Sequence, residues 1–450
     1  MSTIKYKKLS NGLQIIYEKP ESSIAISSIQ VFFNIGNIHS PKDMNGLAHF
    51  IEHMCFQGTK EHPDFNKVLF IYKDIAADYN GYTTQRYTSY VLKFQDISME
   101  KCLKLISEEV LHSNFNKKNF QKEQKVVLEE NISDSDNPNS IIENMNNALL
   151  YENTLFQYPI DDVPYHKNPY DYDKVVDFYK KHYIPANITI SITSNISFTK
   201  ILQFIKKTYF ITKTEACDTL HNIMLPNLLE PPLINGVKYN IKKMDTLNSI
   251  YLNISFQTCS QYNLKETHIL NLLSNIIGTS LISRLNKMLR LKYGLVYGIS
   301  SSTTYYECGG DFTISTQFDP NSFIQKHKPS VLPLIIKELN YLLMHGISNE
   351  ELLLSKHNMR GQLLLDLEDI DTQTSYNGLQ CLLYETPEKI VPYSKLYQTY
   401  YASITKTQID MCIRKYFSLK RMCVSIIGNH IPSLKTISEE CNKLHNNYNK

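Results

Sequence analysis

Two segments half a chain apart are written to the same plan. Residues 181–195 read KHYIPANITISITSN, and residues 415–429 read KYFSLKRMCVSIIGN. Each opens on a basic-aromatic helix end, continues into alternating apolar residues of strand type, and closes on a polar turn. An amphipathic helical pattern follows each one, over residues 198–209 and 434–444. Upstream, the run IYLNISF at 250–256 and the helical spacing near 267–277 repeat the strand-then-helix order of residues 24–54. Matching elements in matching order constrain the chain to two domains of one design, which its 450 residues can supply. The junction is expected near 216–236, where Leu225-Pro226 and Glu230-Pro231-Pro232 break regular structure. This predicts domains at 1–220 and 237–450. Strands and helices are grouped without strict βαβ alternation, so the expected class is α+β. Each domain is expected to hold a mixed, largely antiparallel sheet packed with helices.

The first domain shows where its strands give way to helices. Residues 12–18 and 24–35 alternate with period two, which predicts strands. From Asn45 the period changes: Leu47, Phe50, Ile51 and Met54 recur at helical spacing, with Gly58 as the stop. A strand-like stretch follows at 82–94, then helices at 99–111 and 117–132.

Composition narrows the function. Net charge is only +3, and no Lys/Arg block is interleaved with aromatics, so nucleic acid is excluded as the main partner. No apolar run is long enough to span a bilayer, and the first residues have neither the apolar core of a signal peptide nor the Arg/Ser pattern of a transit peptide. The nine cysteines are odd in number, scattered, and contain no CxxC pair. This argues against a disulfide framework or zinc ribbon and predicts a reducing, cytoplasmic setting.

The chemistry concentrates in His49-Phe50-Ile51-Glu52-His53. Histidines at i and i+4 share one helical face and can bind one Zn²⁺. Glu52 lies one turn from His49 and can reach a water on that metal without being a ligand, in the H-x-x-E-H order of inverted zincins. The apolar neighbours bury this helix, and burying two histidines and a glutamate with no partner or metal is costly. A third ligand is expected from the helix at 117–132. Its Glu123 and Glu130 are seven residues apart and share a face, whereas Glu129 points towards solvent.

The run Asn45-Gly46-Leu47-Ala48-His49-Phe50-Ile51-Glu52-His53-Met54, followed by Phe56-Gln57-Gly58-Thr59, resembles the pitrilysin family of half-length and full-length zinc peptidases. The resemblance implies that Glu130 completes the zinc set, one Zn²⁺ per chain, and that Glu123 is its accompanying acid. Asn80-Gly81-Tyr82-Thr83 with Thr88-Ser89-Tyr90 is similar to the family's substrate-pairing edge strand, so Asn80, Gly81 and Thr83 are expected to contact substrate. Gly81 stands where the family usually has Ala. In the second half, Ser283-Arg284-Leu285 and the segment from Leu289 to Tyr297 resemble the family's S-R-L and R-x-K-x-G-L-x-Y motifs. The family pattern implies that Arg290 and Tyr297 hold the substrate carbonyl. It also implies a chamber closed by two half-length chains, hence a homodimer or a heterodimer, that hydrolyses unfolded peptides or short polypeptides with Glu52 as general base. No acidic pair at 139–147 marks a preference for basic presequences. The competing expectation is a non-catalytic or partner-dependent subunit of the same fold.

Overall fold

The computed structural model describes residues 4–160, 170–213, 236–325, 327–383 and 390–444; the expected junction at 216–236 lies outside them except for Gly236. The chain forms two compact units. Each is a mixed, mostly antiparallel sheet packed with helices, the α+β class expected from the sequence.

The first half of the chain runs β1 (Lys5–Lys8), β2 (Gln14–Glu18), β3 (Ile26–Phe33), α1 (Leu47–Cys55), α2 (Phe65–Asp74), β4 (Asp78–Thr83), β5 (Thr88–Gln95), α3 (Met99–Leu111), α4 (Lys117–Asp136), α5 (Pro138–Leu150), α6 (Tyr172–His182), β6 (Ile188–Thr193) and α7 (Phe198–Ile205). The second half runs β7 (Lys238–Lys243), β8 (Ile250–Thr258), α8 (Leu264–Ser274), β9 (Gly298–Tyr305), β10 (Gly310–Phe318), α9 (Val331–His345), α10 (Asn349–Asp366), α11 (Ile370–Leu383), α12 (Lys406–Tyr416), β11 (Met422–Gly428) and α13 (Leu434–Cys441).

The sheets repeat one another. The first has the order β1-β2-β6-β3-β5-β4 and the second β7-β11-β8-β10-β9. In each, one parallel pair (β2 with β6, β7 with β11) interrupts an otherwise antiparallel ladder. The duplicated segments become β6 and β11 at equivalent places, each pairing with the central strand β3 or β8. The strand expected at 82–94 is a hairpin, because Thr84–Tyr87 close a turn in which the Thr84 N–H donates to the Tyr87 carbonyl at 2.8 Å.

The compact units are not consecutive halves of the chain. One comprises Met1–Ile132, Ile160–Asn227 and Leu363–Leu396; the other comprises Ser133–Pro159, Leu228–Gln362 and Tyr397–Lys450. Helix α11 therefore covers the first sheet, lying on β2, β3 and β6, while α5 covers the second on β7, β8 and β11. The reason is visible at Gly378, where a Cβ would fall 2.1 Å from Phe32 Cε2. Around that close approach, Thr374 Oγ1 donates to Thr193 Oγ1 at 2.8 Å and Asn377 Nδ2 to Glu18 Oε2 at 2.6 Å. In the second unit, Ser255 Oγ donates to Asn146 Oδ1 and Gln257 Nε2 to the Leu150 carbonyl. The covering helix thus satisfies Glu18, Thr193, Ser255 and the Gln257 amide N–H on these sheet faces.

The opposite face of the first sheet carries the main core, where Val31, Phe33, Tyr90 and Leu92 meet Leu47, Phe50, Ile51 and Met54 of α1. Among the described residues, no helix is long and apolar enough to cross a membrane. Cys55, Cys102, Cys259, Cys381, Cys412, Cys423 and Cys441 are unbridged; Cys217 lies outside the described residues.

Candidate metal centre

Helix α1 begins where Gly46 takes φ 82°, a left-handed conformation that favours glycine. The Gly46 N–H is held by Asn37 Oδ1 at 2.8 Å, and the Tyr170 hydroxyl donates to the Asn45 carbonyl at 2.7 Å. With Leu47, Phe50, Ile51 and Met54 fully buried, the other face of the helix carries His49, Glu52 and His53. Their Nε2 atoms bring the two imidazoles to 3.2 Å, with the rings nearly perpendicular.

Helix α4 docks through Phe120, whose ring meets Phe50 edge-on at 4.9 Å. Phe120, Glu123 and Val127 form its buried stripe, and Glu130 continues that stripe by a further turn. Glu130 Oε2 then lies 3.4 Å from His53 Nε2, and Glu123 Oε2 lies 3.3 Å from His53 Nδ1. Glu129 is exposed.

This arrangement fits a zinc ion. Ligand atoms of His49, His53 and Glu130 all lie within 4.8 Å of one another. A tetrahedral ion with Zn–N near 2.0–2.1 Å holds its ligand atoms about 3.3 Å apart. Two imidazole Nε2 atoms at 3.2 Å match that spacing. A proton on His53 Nδ1, donated to Glu123, leaves the Nε2 lone pair for a metal. Three such ligands would leave a fourth position open on a tetrahedral ion.

Electrostatics follow from burial. Glu52 is only 6% exposed, and its carboxyl is held above the usual range by desolvation, against the pull of His49 and His53. Burial works to lower the His53 pKa, but the hydrogen bonds to Glu123 and Glu130 outweigh it and carry the imidazole up to about 10. Glu130 is lowered, first by its hydrogen bond to His53. An excess of carboxylate around two imidazoles is the charge pattern that a divalent cation completes.

Strand β4 lies alongside α1 and, among the described residues, pairs only with β5, at the edge of the sheet. Thr83 Oγ1 donates to Glu52 Oε2 at 2.9 Å. A Cβ on Gly81 would meet Glu52 Oε1 and Phe56 Cε2, each at 2.7 Å, so the missing methyl is the space that Glu52 and Phe56 use. Asn80 Oδ1 accepts from the Gly81 N–H at 2.9 Å. The contact from Thr83 to Glu52 is not legible in the sequence, where Thr83 figures only as a substrate-strand residue. Its signal is strand parity, which puts residues 81 and 83 on one face.

Arg290 and Tyr297 belong to the second unit. Arg290 sits on the wide helical turn Asn286–Lys292, and its guanidinium carbon lies 5.3 Å from the centre of the Tyr297 ring. Tyr297 is 89% exposed. Asn286 Nδ2 ties this turn to the carbonyls of Gly278 and Ile299 at 3.0 and 2.8 Å. Arg284, from the same motif, pairs in bidentate fashion with Glu351 and also with Glu338, and so braces the segment.

Comparison with known proteins finds relatives for both halves of the chain. Residues 16–161 match the family model described as insulinase (peptidase family M16), and residues 169–359 match the one described as the peptidase M16 inactive domain. An uncharacterized zinc protease of Bacillus subtilis is 28% identical over 382 residues, covering 84% of this chain and 88% of the relative. The crystal structure of a protease from Helicobacter pylori superposes with a TM-score of 0.82 at 18% identity, covering 95% of this chain and all of that one. The periplasmic protease PqqL from Escherichia coli superposes with a TM-score of 0.77 at 17% identity, with 99% of this chain covering 50% of that one.

Proposed function

Because the chain belongs to the pitrilysin-like insulinase (M16) family in half-length form, we propose that it is a zinc-dependent endopeptidase acting on unfolded peptides or short polypeptides. The observation that carries this reading is the pair of facing Nε2 atoms of His49 and His53 at 3.2 Å, with Glu130 3.4 Å from the second. One Zn²⁺ held by His49, His53 and Glu130 would supply Lewis acidity, lowering the pKa of a water and polarising a scissile carbonyl.

The rest of the chemistry belongs to side chains. Glu52 Oε1 is the free end of a carboxylate whose Oε2 is engaged by Thr83, so Oε1 takes the proton from the attacking water. Its raised pKa suits both that step and the later delivery of the proton to the leaving amine. Glu123 keeps the His53 ring oriented and its Nδ1 protonated. The unpaired side of β4 offers backbone N–H and C=O groups to an extended substrate, which favours unfolded polypeptide over folded protein. In this reading Arg290 and the exposed Tyr297 steady the oxyanion, and a second copy of the chain presents them.

The test is hydrolysis of a quenched fluorescent peptide library by the purified chain. Wild type is compared with Glu52→Gln and with chelated protein restored by zinc. Loss in both and rescue by zinc supports the peptidase. Zinc bound without cleavage indicates a partner-dependent subunit, and neither zinc nor cleavage indicates a scaffold.

A further inference from the structure

A second set of metal-ligating side chains lies on the first unit, outside the site described above. The loop after α1 is pinned to the end of α3: the Lys60 N–H donates to the His112 carbonyl at 2.9 Å, and the Asn114 N–H to the Gly58 carbonyl at 3.2 Å. Within it, Thr59 and His62 close a tight turn, with the Thr59 N–H on the His62 carbonyl and the His62 N–H on Thr59 Oγ1. This turn points the imidazole at α3. His62 Nδ1 lies 3.0 Å from Glu108 Oε2, and Glu61 brings a second carboxylate to the same point. One ligand atom from each of Glu61, His62 and Glu108 lies within 4.8 Å of the other two.

We propose that Glu61, His62 and Glu108 form a second divalent-cation site, suited to Zn²⁺, which staples the loop behind α1 to α3. Charge supports it. Glu108 is 1% exposed and faces a second carboxylate, yet among the described residues the lysine that pairs with them is Lys104, with His62 able to add charge only when protonated. Its ammonium stands 3.5 Å from Glu61 and 3.8 Å from Glu108, beyond hydrogen-bond length, on a side chain 55% exposed. A monovalent, half-exposed group is a weak counter-ion for two carboxylates, one of them buried. A divalent ion matches their charge, and Lys104 is free to swing into solvent. The remaining neighbours suit a metal. The Tyr209 hydroxyl donates to Glu61 and orients it, and the His112 ring stacks on Tyr209 at 3.8 Å. An imidazole nitrogen with two carboxylate oxygens selects zinc or another first-row ion over Mg²⁺ or Ca²⁺.

This inference is independent of the peptidase reading and is tested without activity. The chain carrying His49→Ala and His53→Ala has lost the first site. It is titrated with Zn²⁺ alone and with Co²⁺ alone, following cobalt absorption and the melting temperature. The expected result is one saturable equivalent and a zinc-dependent rise in melting temperature. Adding His62→Ala is expected to abolish both. Adding Glu61→Gln, on a partly exposed side chain that leaves the core intact, weakens binding roughly tenfold or more. Adding Lys104→Met removes the competing ammonium and tightens it. The proposal is overturned if the His49/His53 variant binds no zinc, or if its binding is indifferent to His62 and Glu61.

Discussion

Thr83 and Glu52 are joined by a hydrogen bond of 2.9 Å that ties the proposed general base to the edge strand on which substrate would lie. The bond takes Oε2, which leaves Oε1 directed at the space over Gly81. In the proposed mechanism, one contact thus fixes both the orientation of the carboxylate and the oxygen that would accept the proton. Thr83→Val removes the donor and keeps the shape. A hydrogen bond to a charged group is worth about 1.5–3 kcal/mol, so kcat is expected to fall by roughly ten- to a hundredfold with zinc content unchanged. Thr83→Ser keeps the hydroxyl and is expected to retain most of the activity. Equal losses in both variants would remove the hydrogen bond from the mechanism.

Gly81 makes the complementary prediction. A methyl group there would sit 2.7 Å from both Glu52 Oε1 and the Phe56 ring, closer than real contacts allow. In Gly81→Ala either the carboxylate or the ring has to move. Peptide hydrolysis is expected to drop at least tenfold, and stability by about 1 kcal/mol, with zinc binding retained because His49, His53 and Glu130 are untouched. Parallel measurements of kcat, zinc content and urea midpoint separate these effects. Wild-type activity would show that this strand gives way easily.

Glu123 touches His53 only through Nδ1, at 3.3 Å. Glu123→Gln removes the charge that holds the ring and its tautomer. Zinc affinity is expected to fall about 10- to 100-fold, measured by competition with a chromogenic chelator. An unchanged affinity would assign Glu123 a packing role on the buried stripe with Phe120 and Val127.

The mixing experiment addresses the proposed second copy. Glu52→Gln lacks the base but keeps Tyr297, and Tyr297→Phe keeps the base but lacks the hydroxyl. Each alone is expected to be nearly inactive. If Tyr297 acts on the zinc site of another copy, the mixture regains activity through one intact site in each mixed dimer. A mixture no better than its parts would return Tyr297 to its own chain or to a different partner.

The sequence makes local features of this molecule legible and leaves the long-range ones hidden. The four-residue spacing of His49 and His53 and the seven-residue spacing of Glu123 and Glu130 are helical arithmetic, readable before any coordinates. The repeat of 181–195 at 415–429 likewise announces equivalent strands, and these are β6 and β11. By contrast, α5 and α11 each cover the sheet built by the other half of the chain. Nothing in their periodicity names the sheet, because the choice rests on contacts such as Gly378 against Phe32. The Thr83–Glu52 bond depends on hairpin register, and the His62–Glu108 contact bridges two elements with no shared period.

A last prediction concerns stability and pH. Glu109 is buried beside Tyr72, whose hydroxyl donates to it, and desolvation pushes its carboxyl up to about 8. Below that pH the folded chain keeps Glu109 protonated, while the unfolded chain releases the proton above its ordinary value of 4.5. The folded state therefore binds more protons between these limits, and this group's contribution to stability falls as pH rises, by about 1.4 kcal/mol per unit. The loss levels off above the folded pKa. Glu109→Gln is isosteric with the neutral acid and still accepts from Tyr72, so it removes the slope without removing the contact. Urea unfolding of both proteins from pH 5.5 to 8.5 is expected to show the difference between them growing with pH in favour of Gln. Taking the difference cancels the titration of His53 and of other groups common to both chains. A constant difference across that range would mean that Glu109 is ionised in the folded protein, with its charge balanced by a group other than Tyr72.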